Sequence, residues 1–447
     1  MKYFHNKIII NEVNVQKNKI DIKYSVTGKI KEYVTNTESY FIEYSEDVSK
    51  TPKSVAVIPF IANMLPIIWL LDAELIVDEL DESFYNSIVW FKRGYIDMYT
   101  MLQFDGKLTV KKLVNNNYKP SDKTITLFSG GADSNSTLVS HINEDLTLLT
   151  IWGADVYFWD TDGWDNLVKD TKTVAKEFHL TPIFAKSCFK NNLDYEKLNK
   201  LVRKSGDNYW HGFQHGLGLI SHFAPLCSKH KYKVCYIPAS PCVTDKRFET
   251  CASTPSIDEK IKFCGCGVIH DGYELNRQER IANVCRYASK HNKKFTLRVC
   301  FESIGGKNYG SCEKCLRTLF AILVEGENPA DYGFDYDTRK ASCIDELIEK
   351  VKKFPLPLIL VACWQGIQEE YIARKKHLHD FKEQLDWLES WDFNRNYKLF
   401  LRQEKFKFLM KTHSLKFLKN KIFLKSLSKI APFKPWRQKL RKLYREV

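Results

Sequence analysis

The chain reads as an α/β protein with a doubly wound parallel sheet, flanked by an N-terminal α+β lobe and a helical, basic C-terminal extension. Three observations predict this. Residues 123–326 alternate strand-like and helix-like runs, the first of those strands ends in a double-glycine turn that opens a helix, and the excess positive charge is confined to the far end of the chain. Such alternation builds parallel strands joined by helical crossovers, with ligands at the carboxyl ends of the strands. At 447 residues the chain exceeds one ordinary domain.

Residues 1–120 form the expected lobe. Residues 7–15, 20–25 and 40–44 are short strand-like runs between polar turns, and 55–102 look helical and apolar. The most hydrophobic stretch, 55–71, contains Pro59, Asn63 and Pro66 and falls short of a membrane span, so it reads as buried core. Met1 leads into a short Ile8-Ile9-Ile10 run rather than a long apolar segment, which predicts no secretory signal. A polar stretch at 115–121 closes the lobe.

The α/β domain follows at 123–326. Thr124-Ile125-Thr126-Leu127-Phe128 is β-branched and apolar, as a buried parallel strand is. Ser129-Gly130-Gly131-Ala132-Asp133-Ser134 then turns into a helix, with Asp133 and Ser134 as cap-type residues. Paired glycines let backbone N–H groups turn inward at the positive end of that helix, where an anion such as pyrophosphate is favoured. Strands are expected at 146–151, 181–185, 233–237 and 296–300, and helices at 165–178, 216–230 and 279–291. Beyond Asn328-Pro329, residues 330–398 turn helical, with 344–353 and 364–391 as the strongest candidates.

The loop is neither a Walker A motif, which ends in Gly-Lys-Ser or Gly-Lys-Thr, nor G-x-G-x-x-G. Ser129-Gly130-Gly131-x-Asp133-Ser134 after a strand resembles the pyrophosphate loop of the PP-loop ATP pyrophosphatases, the adenine nucleotide alpha hydrolase-like family. The resemblance implies a HUP-type domain that splits ATP between its α and β phosphates and adenylates a substrate oxygen, which a nucleophile then attacks. It implies that Ser129, Gly130, Gly131, Asp133 and Ser134 bind ATP, with Asp133 and Ser134 catalytic and Asp133 helping to hold magnesium. A glycine surface turn with the same spelling is the alternative. Asp155, at the end of the second strand, sits where the adenosine belongs; a turn or cap carboxylate is its plainer role.

Thirteen cysteines with no export signal favour thiols or metal ligands over disulfides, and nine lie between Cys235 and Cys315. Cys312-Glu313-Lys314-Cys315 is a C-x-x-C pair that can chelate zinc with Cys300 from a strand end. With the loop, this order resembles the 7-cyano-7-deazaguanine synthases and related PP-loop proteins, in which a Cys near a strand end precedes a Cys-Gly-x-Cys-x-x-Cys zinc knot. Tyr309 stands where the knot's first cysteine belongs, which leaves three ligands where a structural site needs four. Either Cys264 or Cys266 completes the set, or the zinc is weakly held or absent.

The resemblance covers about residues 123–320 and does not carry that family's substrate with it. Trp210-His211-Gly212-Phe213-Gln214-His215-Gly216 stands where family members place substrate- and nucleotide-facing groups. Ser253-Thr254-Pro255-Ser256-Ile257-Asp258 stands where the nitrile-forming enzymes contact substrate, with a different spelling. His270-Asp271-Gly272-Tyr273-Glu274, followed by Arg277, looks like a loop entering a helix. For His215 and His270 the plainer reading is a hydrogen-bonded structural imidazole.

Of 68 Lys and Arg and 54 Asp and Glu, 16 and two respectively lie in 396–447, so the rest of the chain is formally neutral. Residues 399–447 form a basic tail in which Leu415, Leu418 and Ile422 keep helical spacing among lysines. Three readings compete: a solvated helical extension, an amphipathic helix on an anionic membrane, and RNA binding through phosphates. The apolar content favours membrane over RNA.

The expectation is therefore a cytoplasmic ATP-dependent adenylating enzyme acting on a small molecule, peripheral at the inner face of the membrane through its tail, with ATP, Mg2+ and a structural Zn2+. It would activate a carboxylate, amide or carbonyl oxygen for attack by ammonia or another nucleophile. A tRNA-thiolating enzyme and a non-catalytic nucleotide-binding scaffold at a membrane are the alternatives.

Overall fold

A computed structural model describes residues 5–412 except 241, 245–249, 301–303, 337–340 and 379. Its first unit comprises Met1–Tyr309 and Asp331–Phe334, its second Gly310–Ala330 and Asp335–Val447. The amphipathic stretch read at 415–422 lies outside the described residues.

In the first unit, β1 (Lys7–Val15), β2 (Lys19–Thr27) and β3 (Ser39–Tyr44) are followed by helices α1 (Lys53–Ala56) and α2 (Ile58–Leu70). Next come β4 (Glu74–Asp81), α3 (Glu82–Met98) and β5 (Lys107–Val114), then β6 (Thr124–Leu127), α4 (Ala132–Ser140), β7 (Leu146–Trp152), α5 (Thr161–Glu177) and β8 (Thr181–Ser187). Helices α6 (Tyr195–Leu201), α7 (His215–Ile220) and α8 (Phe223–His230) precede β9 (Val234–Pro238). The unit continues with α9 (Pro255–Asp258), β10 (Lys262–Phe263), β11 (Cys266–Asp271) and α10 (Arg277–His291).

Among the described residues all eleven strands join one mostly parallel sheet, in the order β10-β11-β9-β6-β7-β8-β3-β2-β1-β4-β5. From β11 to β8 the neighbours are all parallel, with β6 at the centre. The chain moves outward one way through β7 and β8, then returns to lay β9 and β11 on the other side of β6. That is a doubly wound sheet, whose order reverses between β6 and β9. Helices cover both faces of such a sheet, so its centre is dry: every residue of β6 is buried, as is all of β7 except Trp152. Strand β2 alternates instead between buried and more open positions, as a strand with one covered face does.

The strands of residues 1–120 continue the same sheet. Antiparallel pairing of Ile42 with Ser187 and Tyr44 with Ala185 joins β3 to β8. Helix α2 is buried from Ile58 through Trp69, as expected for core. Within the expected helical region 55–102, Glu74–Asp81 instead forms β4, which pairs parallel with both β1 and β5. The expected helix over 216–230 is interrupted between α7 and α8. Ser221 Oγ and His222 Nδ1 both donate to Gly218 O, and such side-chain bonds compete with the helical ladder. Residues 296–300 belong to no strand; Leu297 N–H bonds Tyr332 O and Arg298 N–H bonds Gly130 O.

The second unit is helical: α11 (Glu313–Val324), α12 (Ala341–Lys353), α13 (Leu358–Arg374), α14 (Lys382–Leu385), α15 (Trp387–Ser390) and α16 (Asn394–Thr412). Its core is aromatic. Trp364 stacks on Phe393 at 5.5 Å, approaches Phe320 and Trp387, and donates its indole N–H to Glu313 at 2.9 Å. The expected helix over 364–391 breaks after Arg374, and Phe381 takes φ +64° at the start of α14. No helix among the described residues is long and apolar enough to cross a membrane.

Candidate functional site

The glycine turn leaves β6 at the strand-order reversal and enters α4. Gly130 takes φ +72°, open to glycine without strain, and Gly131 is extended at the N-cap of α4. The turn is tied on both sides. Gly130 O accepts from Arg298 N–H at 2.8 Å, while Gly131 O accepts from Asn135 N–H, Asn135 Nδ2 and Ser134 Oγ at 2.9–3.1 Å. Ser134 is thus turned back on its own loop, whereas Ser129 Oγ makes no hydrogen bond among the described residues.

Asp133 is placed differently from the expectation of a magnesium ligand. Its Oδ2 accepts from Arg277 Nη1 at 2.5 Å and its Oδ1 from Arg280 Nη1 at 3.1 Å. Arg280 is 2% exposed and also donates to Ser240 O and Gly272 O, so the guanidinium pins Asp133 to the segments that follow β9 and β11. Two cations on one carboxylate do not fit a third, and this donor set does not support a magnesium ion on Asp133. In sequence Arg277 follows a stretch that looks like a loop entering a helix, and nothing local marks Arg280 as its companion.

Asp155 is exposed beyond β7, in a turn whose Ala154 O accepts from the half-buried Lys190 ammonium at 2.9 Å. Burial lowers the Lys190 pKa, with the Asp155 charge acting the other way. Close by, Asp160 caps α5 by accepting from Gly163 N–H at 3.0 Å and also accepts from Gly305 N–H. An open cavity of about 420 Å³ lies there, lined by Asp162, Asp165, Asn166, Ile304, Gly305 and Lys307.

Two groups of three cysteines among the described residues could hold a metal ion, and one lies wholly within the first unit: Cys227, Cys235 and Cys266. Their sulfurs are 3.4 Å (Cys227 to Cys235) and 3.8 Å (Cys235 to Cys266) apart, drawn together from α8, β9 and β11. Burial pushes the Cys227 and Cys235 thiols up, and their hydrogen bonds hold Cys266 down. Cys266 therefore sits with Cys227 and Cys235, and not with Cys300, Cys312 and Cys315 as a fourth ligand. Cys264 takes φ +53° and donates its backbone N–H to Asp81. Cys300 lies in the first unit; in the second, Cys312 caps α11, its sulfur accepting from Cys315 N–H at 3.4 Å.

Of the two imidazoles singled out, His270 is a buried structural group: its Nδ1 meets Asp258 Oδ2 at 2.8 Å, and Ser253 Oγ donates to the same oxygen. His215 is not of that kind. Its Nδ1 lies 3.7 Å from the buried Cys251 sulfur. His211 Nδ1 meets both Asp207 oxygens at 3.1 Å, and Asp207 further accepts from Tyr99 Oη, Thr250 Oγ1 and Asn208 N–H. Burial pushes the Cys251 thiol up, but the two imidazoles outweigh it and bring it to about 7. Burial pulls His211 down, and its hydrogen bonds to Asp207 are the largest of the influences that raise it overall. The Asp207-x-x-x-His211-x-x-x-His215 spacing was legible as one helical face, but nothing in the sequence linked Cys251 to it.

Comparison with protein-family models and with curated proteins finds no match.

Proposed function

We propose that this chain is an ATP-dependent adenylating enzyme that splits ATP into AMP and pyrophosphate to activate a carboxylate, amide or carbonyl oxygen of a small molecule. One observation supports this most: the glycine turn opens a helix at the reversal point of a doubly wound sheet, where nucleotides bind. The N–H groups at the start of α4 and the Ser129 hydroxyl would hold the pyrophosphate portion. Arg277 and Arg280 sit beside the turn on Asp133 and add positive potential where charge builds on the leaving group. The role of this loop is then positioning and electrostatics, with ammonia or another nucleophile completing the transfer. Magnesium would be carried by the phosphates of the nucleotide. A structural zinc on Cys300, Cys312 and Cys315 is supported by their spacing, and metal content per purified chain measures it.

Titration of ATP into the full chain tests the nucleotide site. Ser129→Ala should weaken ATP binding about tenfold, the worth of one hydrogen bond to a charged group, and labelled ATP should yield AMP rather than ADP. A well-folded chain that does not bind ATP at millimolar concentration would sink the reading. The arginine pairing of Asp133 favours a second one, a nucleotide-binding module without turnover, for which binding persists and no AMP appears. The basic stretch 399–447 supports docking on anionic membrane from the cytoplasmic side, and a chain ending at 398 should lose binding to phosphatidylserine vesicles while keeping its ATP affinity.

A further inference from the structure

Three thiols from three separate elements meet in the interior of the first unit. We propose that Cys227, Cys235 and Cys266 are the ligands of one thiophilic, closed-shell metal ion, of the class to which Zn2+ and Cu+ belong. The ion would be held for structure, at the edge of the sheet where the strands begin. The site is separate from Cys300, Cys312 and Cys315, and it does not rest on nucleotide binding.

The backbone that carries these cysteines is fixed without any help from their sulfurs. Helix α8 ends at His230, and Lys231 follows at φ +61°, its N–H closing the helix on Cys227 O at 2.9 Å. That left-handed cap returns the chain into β9 within a few residues, which brings Cys227 back to Cys235. The turn is pinned from outside the cluster: Ser121 N–H donates to Lys231 O at 2.8 Å, and Tyr118 Oη donates to Tyr232 O at 2.8 Å. Cys235 is held in register between Ile125 of β6 and Val268 of β11. Cys266 opens β11 and pairs with Phe263 across the two-residue turn Cys264-Gly265, in which both residues have positive φ. The sheet therefore preorganises the ligands, as a metal site requires.

The sulfurs are spaced as the ligands of one ion are. Metal–thiolate bonds of about 2.3 Å put the sulfurs of a tetrahedral zinc site about 3.8 Å apart. Here Cys227 and Cys235 are 3.4 Å apart, Cys235 and Cys266 3.8 Å, and all three sulfurs lie within 4.8 Å of one another. The three residues are 0%, 0% and 3% exposed, so water does not compete for the site. Cys266 also lies 3.6 Å from Gly267 O, whereas Cys227 and Cys235 have only sulfur as a hydrogen-bond partner among the described residues. Sulfur is a weak acceptor, so the thiols lose little when a metal takes the place of their protons, which leave to solvent on binding. Soft thiolates select both ions; three serve Cu+, and Zn2+ takes a fourth ligand, for which the buried Cys264 is nearest along the chain. Cys235 and Cys266 stand at the starts of their strands, whereas ligands of an α/β crevice lie at the carboxyl ends. The ion would thus clamp α8 to β9 and β11 and take no part in chemistry.

The test uses the full chain, purified without oxygen. With Cys300→Ser, Cys312→Ser and Cys315→Ser combined, the chain should still hold one equivalent of metal, and adding Cys235→Ser should remove it. Elemental analysis of the chain as isolated tells Zn2+ from Cu+. The unsubstituted chain gives a readout free of any folding defect of a variant. Loaded with cadmium, a probe of the same class, it should show one cadmium resonance correlated by NMR with the β-protons of Cys227, Cys235 and Cys266. Absence of those correlations, or a disulfide between Cys227 and Cys235 in the purified chain, would overturn the proposal. ATP titration of the same preparation is a separate readout: its failure removes the adenylating function and leaves the metal centre standing.

Discussion

Replacing Asp258 by Ala should destabilise the chain by about 1–3 kcal/mol for each buried group it leaves without its acceptor. Asp258 and His270 are both 0% exposed in their side chains, and Ser253 donates to the same oxygen that meets His270. Alanine would strand an imidazole and a hydroxyl with no water to replace the lost acceptor, and it would leave a void. Neighbouring glycine shows how tightly the carboxylate is seated, since a Cβ on Gly216 would overlap Asp258 Oδ1. Asp258→Asn keeps the shape and one acceptor, so its loss should be less than half as large. Urea midpoints of the two variants measure this, and equal, small shifts would show that the pair contributes little.

Acidification from pH 6.5 to about 4 should remove roughly 3 kcal/mol of stability through His222 alone, counting about 1.4 kcal/mol per pH unit. The ring is fully buried, and burial lowers its pKa to about 4 against the opposing bonds to the Gly218 and Leu219 carbonyls. In the neutral form both nitrogens are served: Nδ1–H donates to Gly218 O and Nε2 accepts from Ser187 Oγ. The unfolded chain takes up a proton near pH 6.5 and the folded chain does not, so stability is full above that pH and drains away as pH falls toward 4. His141 and His211 act with the opposite sign, because their folded pKa values are raised; what they contribute is present below pH 6.5 and lost as pH rises through those values. Carboxylate titration adds to the acid limb, so the His222 share is read by NMR of the ring. A His222 resonance that titrates near 6.5 in the folded chain contradicts the prediction.

Much of the central sheet was legible because each strand is short, apolar and flanked by its own turn. The runs at 124–128, 146–151, 181–185 and 233–237 correspond to β6, β7, β8 and β9 within two residues at either end. Strand β11 escaped notice because Cys266-Gly267-Val268-Ile269-His270-Asp271 has no local strand signature and owes its state to pairing with β9. Strand β4 was absorbed into an apolar stretch that looked helical, and only β1 and β5 on either side select the extended form.

The candidate sites divide along the same line. Ser129 to Ser134 specify their own turn, since glycine freedom and the start of a helix are decided within a few residues. The segregation of charge into 396–447 is likewise a property of spelling alone. The partners of Asp133 and Cys251 are different in kind: Arg277 and Arg280 lie 144 and 147 residues from the aspartate, and His215 lies 36 from the thiol. No local propensity encodes such pairs. They meet because parallel crossovers bring distant strand ends to one side of the sheet, and there burial turns a hydrogen bond that water would weaken into a fixed contact.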